Sequence, residues 1–137
     1  MQFCLSEARL GLLPATIAPF VIRALGEQAA RRWFVTAEHF SARQAQAMGF
    51  VHEVVAADAL DAKVAEIVAA LVANGPAAVR ACKQLVKDMA GRPIDEALRA
   101  ETARRIADIR ASAEGREGVQ SFLNKRAPSW QAQDKPQ

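Results

Sequence analysis

The chain contains few of the residue types from which metal and redox sites are built. It has two cysteines, two histidines and no tyrosine. Cys4 and Cys82 are far apart in the sequence, form no CxxC pair and have no clustered histidines beside them, which argues against a zinc site. Two unclustered cysteines are typical of a reducing compartment. We therefore expect free thiols and no bound metal.

Long apolar runs are also missing. No run approaches the ~20 residues that a membrane-spanning helix needs, and the N-terminus lacks the charged-then-apolar pattern of a secretory signal. The net charge is +3, without the basic stripe that is typical of nucleic-acid binders. We predict a cytoplasmic protein that contacts neither membrane nor nucleic acid, and whose small positive excess suits an acidic ligand.

The composition favours helices. The chain has 137 residues, of which 51% are hydrophobic, and a chain of this size can bury roughly two-thirds of its surface in one domain. Alanine is abundant and tyrosine is absent, which favours helix. The apolar residues 2–5 and the β-branched residues 51–55 are predicted to form short strands. The prediction is a mostly α fold with one or two short strands.

Helix-start and helix-stop residues divide the rest of the chain. The predicted helices lie at 17–25, 27–34, 42–48, 58–73, 76–90, 94–111 and 114–126. Ser41 is the predicted N-cap of the helix at 42–48. In the helix at 94–111, the apolar residues Leu98, Ile106 and Ile109 are predicted to point inward. Two short strands cannot cover so many apolar helix faces, so we expect the chain to associate with itself.

A glutamate near the N-terminus is the strongest candidate for chemistry. Glu7 follows the first predicted strand and precedes an apolar turn that runs through Gly11 and Pro14 into a helix. A carboxylic acid held against apolar neighbours favours its neutral form and can then donate a proton near neutral pH. The alternative interpretation is a surface carboxylate that happens to follow a strand.

The spacing around this glutamate resembles that of the crotonase family, the enoyl-CoA hydratases and isomerases. Members of that family have Phe-x-x-x-Glu, three residues, Gly, two residues and Pro in the corresponding segment. Phe3, Glu7, Gly11 and Pro14 match this pattern in type and spacing. The similarity covers residues 2–130 and continues through these further positions: Arg23–Gly26, Thr36–Ala42, Ala45, Gly49, Val51–Val55, Glu117–Gly118 and Phe122–Trp130.

The resemblance implies the C-terminal half of a crotonase-like α/β fold (a ββα spiral) with its helical trimerisation region. Residues 1–56 would form the end of the core that bears the acid, residues 57–130 the helical oligomerisation region, and residues 131–137 a frayed tail. The family's first half supplies a Gly-rich segment, two oxyanion-hole amides and usually a second acid, none of which is found in this sequence. We therefore expect a homo-oligomer, either a trimer or a dimer of trimers, and no activity from the chain alone.

The resemblance also implies hydration of an α,β-unsaturated acyl-CoA. Glu7 would supply the proton to the α-carbon, and coenzyme A would enter as part of the thioester substrate, without a separate cofactor. By position, the N–H of Ala15 would help to place the attacking water, and Ile106 would line the acyl tunnel. Phe122 and Lys125 would contact the adenine and a phosphate of coenzyme A in an adjacent subunit. Core packing is the alternative for both Ile106 and Phe122.

Arg9 is a further candidate, because a planar guanidinium could pair with a carboxylate on the substrate. The alternative is an arginine that is exposed or paired elsewhere. The segment Cys-Leu-Ser-Glu, followed by Pro-Ala-x-Ile-x-Pro, resembles bacterial methylglutaconyl-CoA hydratases. Two other functions stay open: a non-catalytic helical half-domain that oligomerises and binds coenzyme A, and an isomerase or thioesterase of the same superfamily.

Overall fold

The structure, a computed structural model, describes residues 1–134 of the chain. They divide into two compact units, one from Met1 to Leu60 and one that starts at Asp61. The elements of the first unit are β1 (Gln2–Cys4), a 3₁₀ turn (Glu7–Leu10), α1 (Ala18–Leu25), α2 (Glu27–Thr36), β2 (His39–Ser41), α3 (Ala42–Ala47) and a 3₁₀ turn (Ala57–Ala59). They are followed by α4 (Leu60–Val72), α5 (Pro76–Met89), α6 (Glu96–Ala111), α7 (Ala113–Leu123) and a 3₁₀ turn (Ser129–Asp134). The predicted mostly α fold with short strands is confirmed.

The first unit contains a two-stranded antiparallel sheet, in which Phe3 of β1 lies opposite Phe40 of β2. The prediction of a strand at residues 2–5 is confirmed, but the prediction of a strand at residues 51–55 is wrong, because that segment has irregular backbone. Val51 packs against the core of this unit instead. β-branched residues favour any half-buried extended segment, so their pattern does not reveal which segment finds a partner strand.

The core of the first unit is small and aromatic. Its buried side chains are Leu5, Trp33, Phe40 and Ala45. The Phe40 ring lies 5.3 Å from the Phe3 ring and 4.8 Å from the Trp33 ring, measured between centroids. Burial of each large apolar side chain contributes roughly 1.5–3 kcal/mol. Since Leu5 belongs to this core, the backbone is fixed two residues before Glu7.

The helices of the first unit begin and end at local signals. Pro19 lies in the first turn of α1, and Gly26, at φ 81°, ends α1 and precedes α2. Ser41 is the N-cap of α3, as predicted. Its Oγ accepts from the N–H of Gln44 at 3.2 Å, while Oε1 of Gln44 accepts from the N–H of Ser41 at 2.8 Å. This reciprocal capping box satisfies two backbone donors that the helix itself leaves free.

The helices of the second unit leave much apolar surface uncovered. The apolar side chains that recur along one face of α4 are between 48% and 54% exposed: Leu60, Val64, Ile67, Val68 and Leu71. Leu98 of α6 is buried as predicted, but Ile106 is 58% exposed, so its predicted inward orientation is wrong. The expected excess of exposed apolar surface is confirmed, whereas self-association stays a prediction.

An ionic contact between α5 and α6 explains the error at Ile106. Arg105 donates to Asp88 of α5 at 2.8 Å and to Glu101 of its own helix at 2.5 Å, and Arg92 donates to Glu101 at 2.9 Å. The less exposed face of α6 therefore includes charged positions in addition to apolar ones. Arg105 lowers the pKa of Asp88, and Arg92, followed by Arg105, lowers the pKa of Glu101.

The last helix caps another helix of the same unit. The carboxylate of Glu114, in the first turn of α7, accepts from the N–H groups of Ala77 and Ala78 at 2.9 and 2.8 Å. These two donors lie at the N-terminus of α5, where the helix dipole favours an anion. A methyl group on Gly75 would lie 2.5 Å from this carboxylate. An alanine at position 75 would therefore require the Glu114 carboxylate to move, at the expense of its bonds to Ala77 and Ala78.

The C-terminal turn is attached to the end of α4. Nε1 of Trp130 and Nε2 of Gln131 both donate to the carbonyl of Ala73, at 3.3 and 2.7 Å. Residues 135–137 of the predicted frayed tail lie outside the described residues. Among residues 1–134, no single helix is both long and apolar enough to cross a membrane. The helical stretch Ala57–Val72 and helix α5 pass that criterion only as a pair, and they meet at a bend of 104°.

Candidate functional site

The candidate acid lies in a tight turn directly after β1. Glu7 begins the 3₁₀ turn Glu7–Leu10, which ends at Gly11 with φ 69°. The N–H of Arg9 donates to the carbonyl of Ser6 at 3.0 Å, and the N–H of Leu12 donates to the carbonyl of Glu7, also at 3.0 Å. The positive φ favours glycine at position 11. The backbone around Glu7 is therefore held by its own hydrogen bonds as well as by buried Leu5.

The carboxyl group of Glu7 is held in an unusual environment. The residue is half-buried, and its Oε2 atom is inaccessible to solvent without any hydrogen-bond partner. Among the described residues it is the one buried side-chain oxygen or nitrogen atom in this situation. A buried polar atom that is left unpaired costs roughly 1–3 kcal/mol, and native proteins contain few of them. Within the described part of the chain, this atom therefore lacks a hydrogen-bond partner that would favour its burial.

Ala15 lies on the exposed surface after buried Pro14. Its N–H, which the sequence suggested for placing a water molecule, donates to the carbonyl of Leu13 at 2.9 Å. Its φ is not positive, so the alanine side chain is compatible with this backbone. The role of Ala15 in placing water stays a prediction, and that role would require this amide to exchange or share its hydrogen bond.

Arg9 is anchored within its own unit. Its Nη2 atom donates to the carbonyl of Ala37 at 2.6 Å, although the residue as a whole is exposed. The sulfur of Cys4 donates to the same carbonyl at 3.4 Å. The predicted contact between Arg9 and a substrate carboxylate stays a prediction, and the guanidinium that would make it already has a partner in the fold.

Phe122 and Lys125 lie together at the end of α7 in the second unit. The N–H of Lys125 donates to the carbonyl of Phe122 at 3.1 Å, and the N–H of Arg126 donates to that of Ser121 at 3.0 Å. These two bonds form a Schellman motif, in which Lys125 has φ 52°. The Phe122 ring is 81% exposed, so it is not a core side chain within this chain. The coenzyme A contacts of Phe122 and Lys125, and the position of Ile106 in the acyl tunnel, stay predictions.

Glu117 forms an ionic site that the sequence does not predict. Arg126 donates to both carboxylate oxygens at 2.6 and 2.8 Å, and the N–H of Ser129 adds a bond at 2.9 Å. Arg126 first, and Ser129 second, lower the pKa of Glu117 to about 2. Glu117 and Arg126 are separated by nine positions, which matches no helical period, so no local sequence signal predicts the pair.

Stability is expected to depend on Glu117 at acidic pH. The pKa of this carboxylate is depressed in the folded chain. Its contribution to the free energy of unfolding is therefore complete above about pH 4.5 and is lost as the pH falls towards about 2. The urea concentration at the midpoint of unfolding should therefore fall as the pH is lowered through this range. In Glu117→Gln the midpoint should depend less on pH. In a carbon NMR titration of Arg126→Gln, the pKa of the Glu117 carboxyl group should rise towards its ordinary range. Ordinary titration of Glu117 in the unsubstituted chain would contradict the prediction.

Glu7 does not line either of two grooves, one in each unit. A groove of about 540 Å³ lies between α2 and α3 and is lined mainly by apolar side chains, among them Leu25, Trp33 and Met48. A second groove, of about 500 Å³, has Glu114, Glu117 and Trp130 in its wall. Among residues 1–134, no group of three or more His, Cys, Asp or Glu side chains could hold a metal ion.

Comparison with known proteins identifies the family. Residues 1–133 match the enoyl-CoA hydratase/isomerase family. The enoyl-CoA hydratase EchA19 of Mycobacterium tuberculosis is 31% identical over 95% of this chain and 49% of its own length. The structure of an enoyl-CoA hydratase from Shewanella pealeana superposes with a TM-score of 0.83 and 43% identity, over 94% of this chain and 48% of that one.

A second solved structure gives the same fold. An enoyl-CoA hydratase of Mycobacterium smegmatis superposes with a TM-score of 0.86 and 34% identity, over 95% of this chain and 50% of that one. The chain spans about half the length of the relatives that it matches. With the family match over nearly all of its residues, the chain belongs to the enoyl-CoA hydratase/isomerase (crotonase) family.

Proposed function

We propose that this chain provides the proton-donating glutamate of a hydratase that acts on α,β-unsaturated acyl-CoA thioesters. The observation that carries the proposal is the buried, unpartnered Oε2 atom of Glu7. The fold of residues 1–134 covers this oxygen but gives it no hydrogen-bond partner. A carboxyl group with such an atom is suited to act on a ligand that completes its environment.

The proposed reaction forms one C–O and one C–H bond. The carboxylate of a second acidic residue, acting as a base, takes a proton from water, and the water oxygen bonds to the β-carbon of the thioester as the C=C π bond is broken. Glu7 gives its proton to the α-carbon, while the charge that develops on the thioester oxygen is held by two backbone amides. Such donors are worth roughly 10²–10³ in rate each. We place the second acid and both amides in polypeptide outside these 137 residues.

Two observations support a site that is completed from outside. The chain spans about half the length of its relatives, and Glu7 lies in the wall of neither of the two grooves described above. The exposed apolar face of α4 offers a surface on which further polypeptide could pack, in agreement with the proposed trimer or dimer of trimers. Exposed Phe122, with Lys125 three residues later, supports the proposed coenzyme A contact.

Within the family we favour methylglutaconyl-CoA as the substrate. The support comes from the sequence around the acid, Cys-Leu-Ser-Glu, and from Pro-Ala-x-Ile-x-Pro after it, both of which resemble bacterial methylglutaconyl-CoA hydratases. An enoyl-CoA substrate without a free carboxylate on its acyl group is the alternative. The two substrates differ by one charged group, so their relative kcat/KM values distinguish them directly.

A chimera tests the proposal. Residues 1–130 of this chain would replace the matched segment of the Shewanella pealeana enzyme, so that the rest of that protein completes the site. We expect the chimera to hydrate crotonyl-CoA and methylglutaconyl-CoA, with the higher kcat/KM for the latter, and the 137-residue chain alone to hydrate neither. The unmodified Shewanella pealeana protein is the positive control. A folded chimera without hydration of either substrate would refute the proposed function.

A second function is favoured by the location of Phe122 and Lys125. Both residues belong to the second unit, whereas Glu7 belongs to the first. A half-domain that assembles and binds coenzyme A without catalysis would need only the second unit. Calorimetry with coenzyme A and the 137-residue chain tests this function, because it predicts heat of binding that Lys125→Ala reduces.

An isomerase is a further alternative. It would yield a thioester with a shifted double bond, which product analysis separates from a 3-hydroxyacyl thioester.

A further inference from the structure

The turn that carries Glu7 is tied to the end of helix α2 at one carbonyl group. Ala37 is the C-cap residue of α2 and is only 1% exposed, with φ 50°. A left-handed backbone is unfavourable for alanine, so the surrounding contacts must hold it in place. Two side chains bind the Ala37 carbonyl: Nη2 of Arg9 at 2.6 Å and Sγ of Cys4 at 3.4 Å.

These two side chains lie on either side of the candidate acid. Cys4 precedes Glu7 by three residues and Arg9 follows it by two, so one buried carbonyl holds both ends of the segment. The bond from Arg9 carries a positive charge and lies at the C-terminus of α2, where the helix dipole favours a cation. The 3₁₀ turn also packs against α2. The backbone on both sides of Glu7 is therefore attached to the end of α2 at the Ala37 carbonyl.

We infer that Arg9 is a positioning residue, which fixes the Glu7 turn against Ala37 and does not contact the substrate. The inference rests on the proposed function of Glu7 as the proton donor. It differs from the substrate-carboxylate role suggested by the sequence, because a positioning residue affects every substrate equally. A residue that binds the substrate carboxylate affects only those substrates that have one.

The first arm of the test uses the 137-residue chain and needs no activity. The amides of Gly11 and Leu12 donate to the carbonyls of Ala8 and Glu7, so their hydrogen exchange reports on the turn. Arg9→Met should raise exchange at both amides by roughly tenfold, as expected when a hydrogen bond to a charged group is lost. Arg9→Lys should restore part of the protection, since lysine keeps the charge without the planar fork.

Arg31→Met is the matched control for this arm. Arg31 is an exposed arginine of the same unit, and its partner is exposed Glu27. The substitution removes a guanidinium of the same size and should leave exchange at Gly11 and Leu12 unchanged. Unchanged exchange in Arg9→Met would overturn the inference whether or not the protein is active.

The second arm measures kinetics in the chimera described above. Arg9→Met should lower kcat for crotonyl-CoA and methylglutaconyl-CoA by the same factor, roughly 10–100-fold, without a change in KM. A rise in KM for methylglutaconyl-CoA alone would overturn the inference and identify Arg9 as a substrate contact. If the unsubstituted chimera has no hydratase activity, the proposed function fails, and the exchange arm still decides whether Arg9 holds the turn.

Discussion

Replacing Glu7 by glutamine is expected to lower kcat for enoyl-CoA hydration by roughly 10²–10⁴-fold, the usual contribution of a general acid. Glutamine keeps the shape of the side chain but has no acidic proton to give to the α-carbon. KM should change little, because the substrate is proposed to be held elsewhere, by coenzyme A contacts and backbone amides. The measurement is steady-state hydration of crotonyl-CoA by the chimera, with and without the substitution.

The same substitution should leave stability nearly unchanged. Since Oε2 of Glu7 has no hydrogen-bond partner, no hydrogen bond of that atom is lost in Glu7→Gln. We expect the free energy of unfolding of the 137-residue chain to change by less than about 1 kcal/mol. A large loss of rate without a loss of stability is the behaviour of a functional residue, because such residues are often kept at a cost to stability.

Glu27→Gln is the matched control for Glu7→Gln. Glu27 is an exposed glutamate of the same unit, in the first turn of α2, and pairs with Arg31. Its substitution should affect neither kcat nor KM. Hydration that survives in Glu7→Gln at the unsubstituted rate would remove Glu7 from its proposed role, whatever the stability of the variant.

Local signals in the sequence located most of the helices correctly. Pro76 after Gly75 predicts the start of α5, and Ser41 predicts the start of α3, because caps and first-turn prolines act over only a few residues. The spacing of Glu7 and its neighbours pointed to the family that the comparisons then showed. These signals are short-range, and they do not depend on how distant parts of the chain meet.

The features that the sequence did not predict depend on distant contacts. β2 is three residues long and is formed through its pairing with β1. A segment this short is too brief to show the alternating pattern that predicts a strand. Arg9 meets Ala37 across 28 positions, and Glu114 meets Ala77 across 37. The Oε2 atom of Glu7 is unpaired because no donor among the described residues forms a hydrogen bond with it. A sequence motif cannot predict the absence of such a contact.

Gly115→Ala is expected to destabilise the second unit by about 2–4 kcal/mol, through overpacking and a lost helix cap. Gly115 lies in the first turn of α7, and one residue, Ser112, separates α7 from α6. A methyl group at position 115 would overlap the carbonyl oxygen of Ile109 and lie 3.0 Å from its carbon and 3.1 Å from Cα of Arg110. These are backbone atoms and cannot rotate away.

Two effects of opposite sign compete in this variant. Alanine is the better helix former, by roughly 1 kcal/mol over glycine, which would favour the substitution. Against it stand the cost of overpacking, roughly 1–3 kcal/mol and occasionally more, and the loss of the Ser112 cap. Alanine keeps the N–H that donates to Oγ of Ser112 at 3.0 Å, but the overlap with backbone atoms forces the backbone at position 115 to shift and so breaks this bond. Losing a cap costs roughly 0.5–2 kcal/mol. The steric and capping costs together exceed the gain in propensity.

Gly118→Ala separates the steric cost from the helix propensity. Gly118 lies in the same helix, but a methyl group there would meet the ring of Trp130 at 3.1 Å, and a side chain can shift where a backbone cannot. Urea denaturation should therefore give a clear loss for Gly115→Ala and a change within about 1 kcal/mol for Gly118→Ala. Equal stability of Gly115→Ala and the unsubstituted chain would contradict the close α6–α7 junction, because a straightened junction would accept alanine and extend the helix through Ser112.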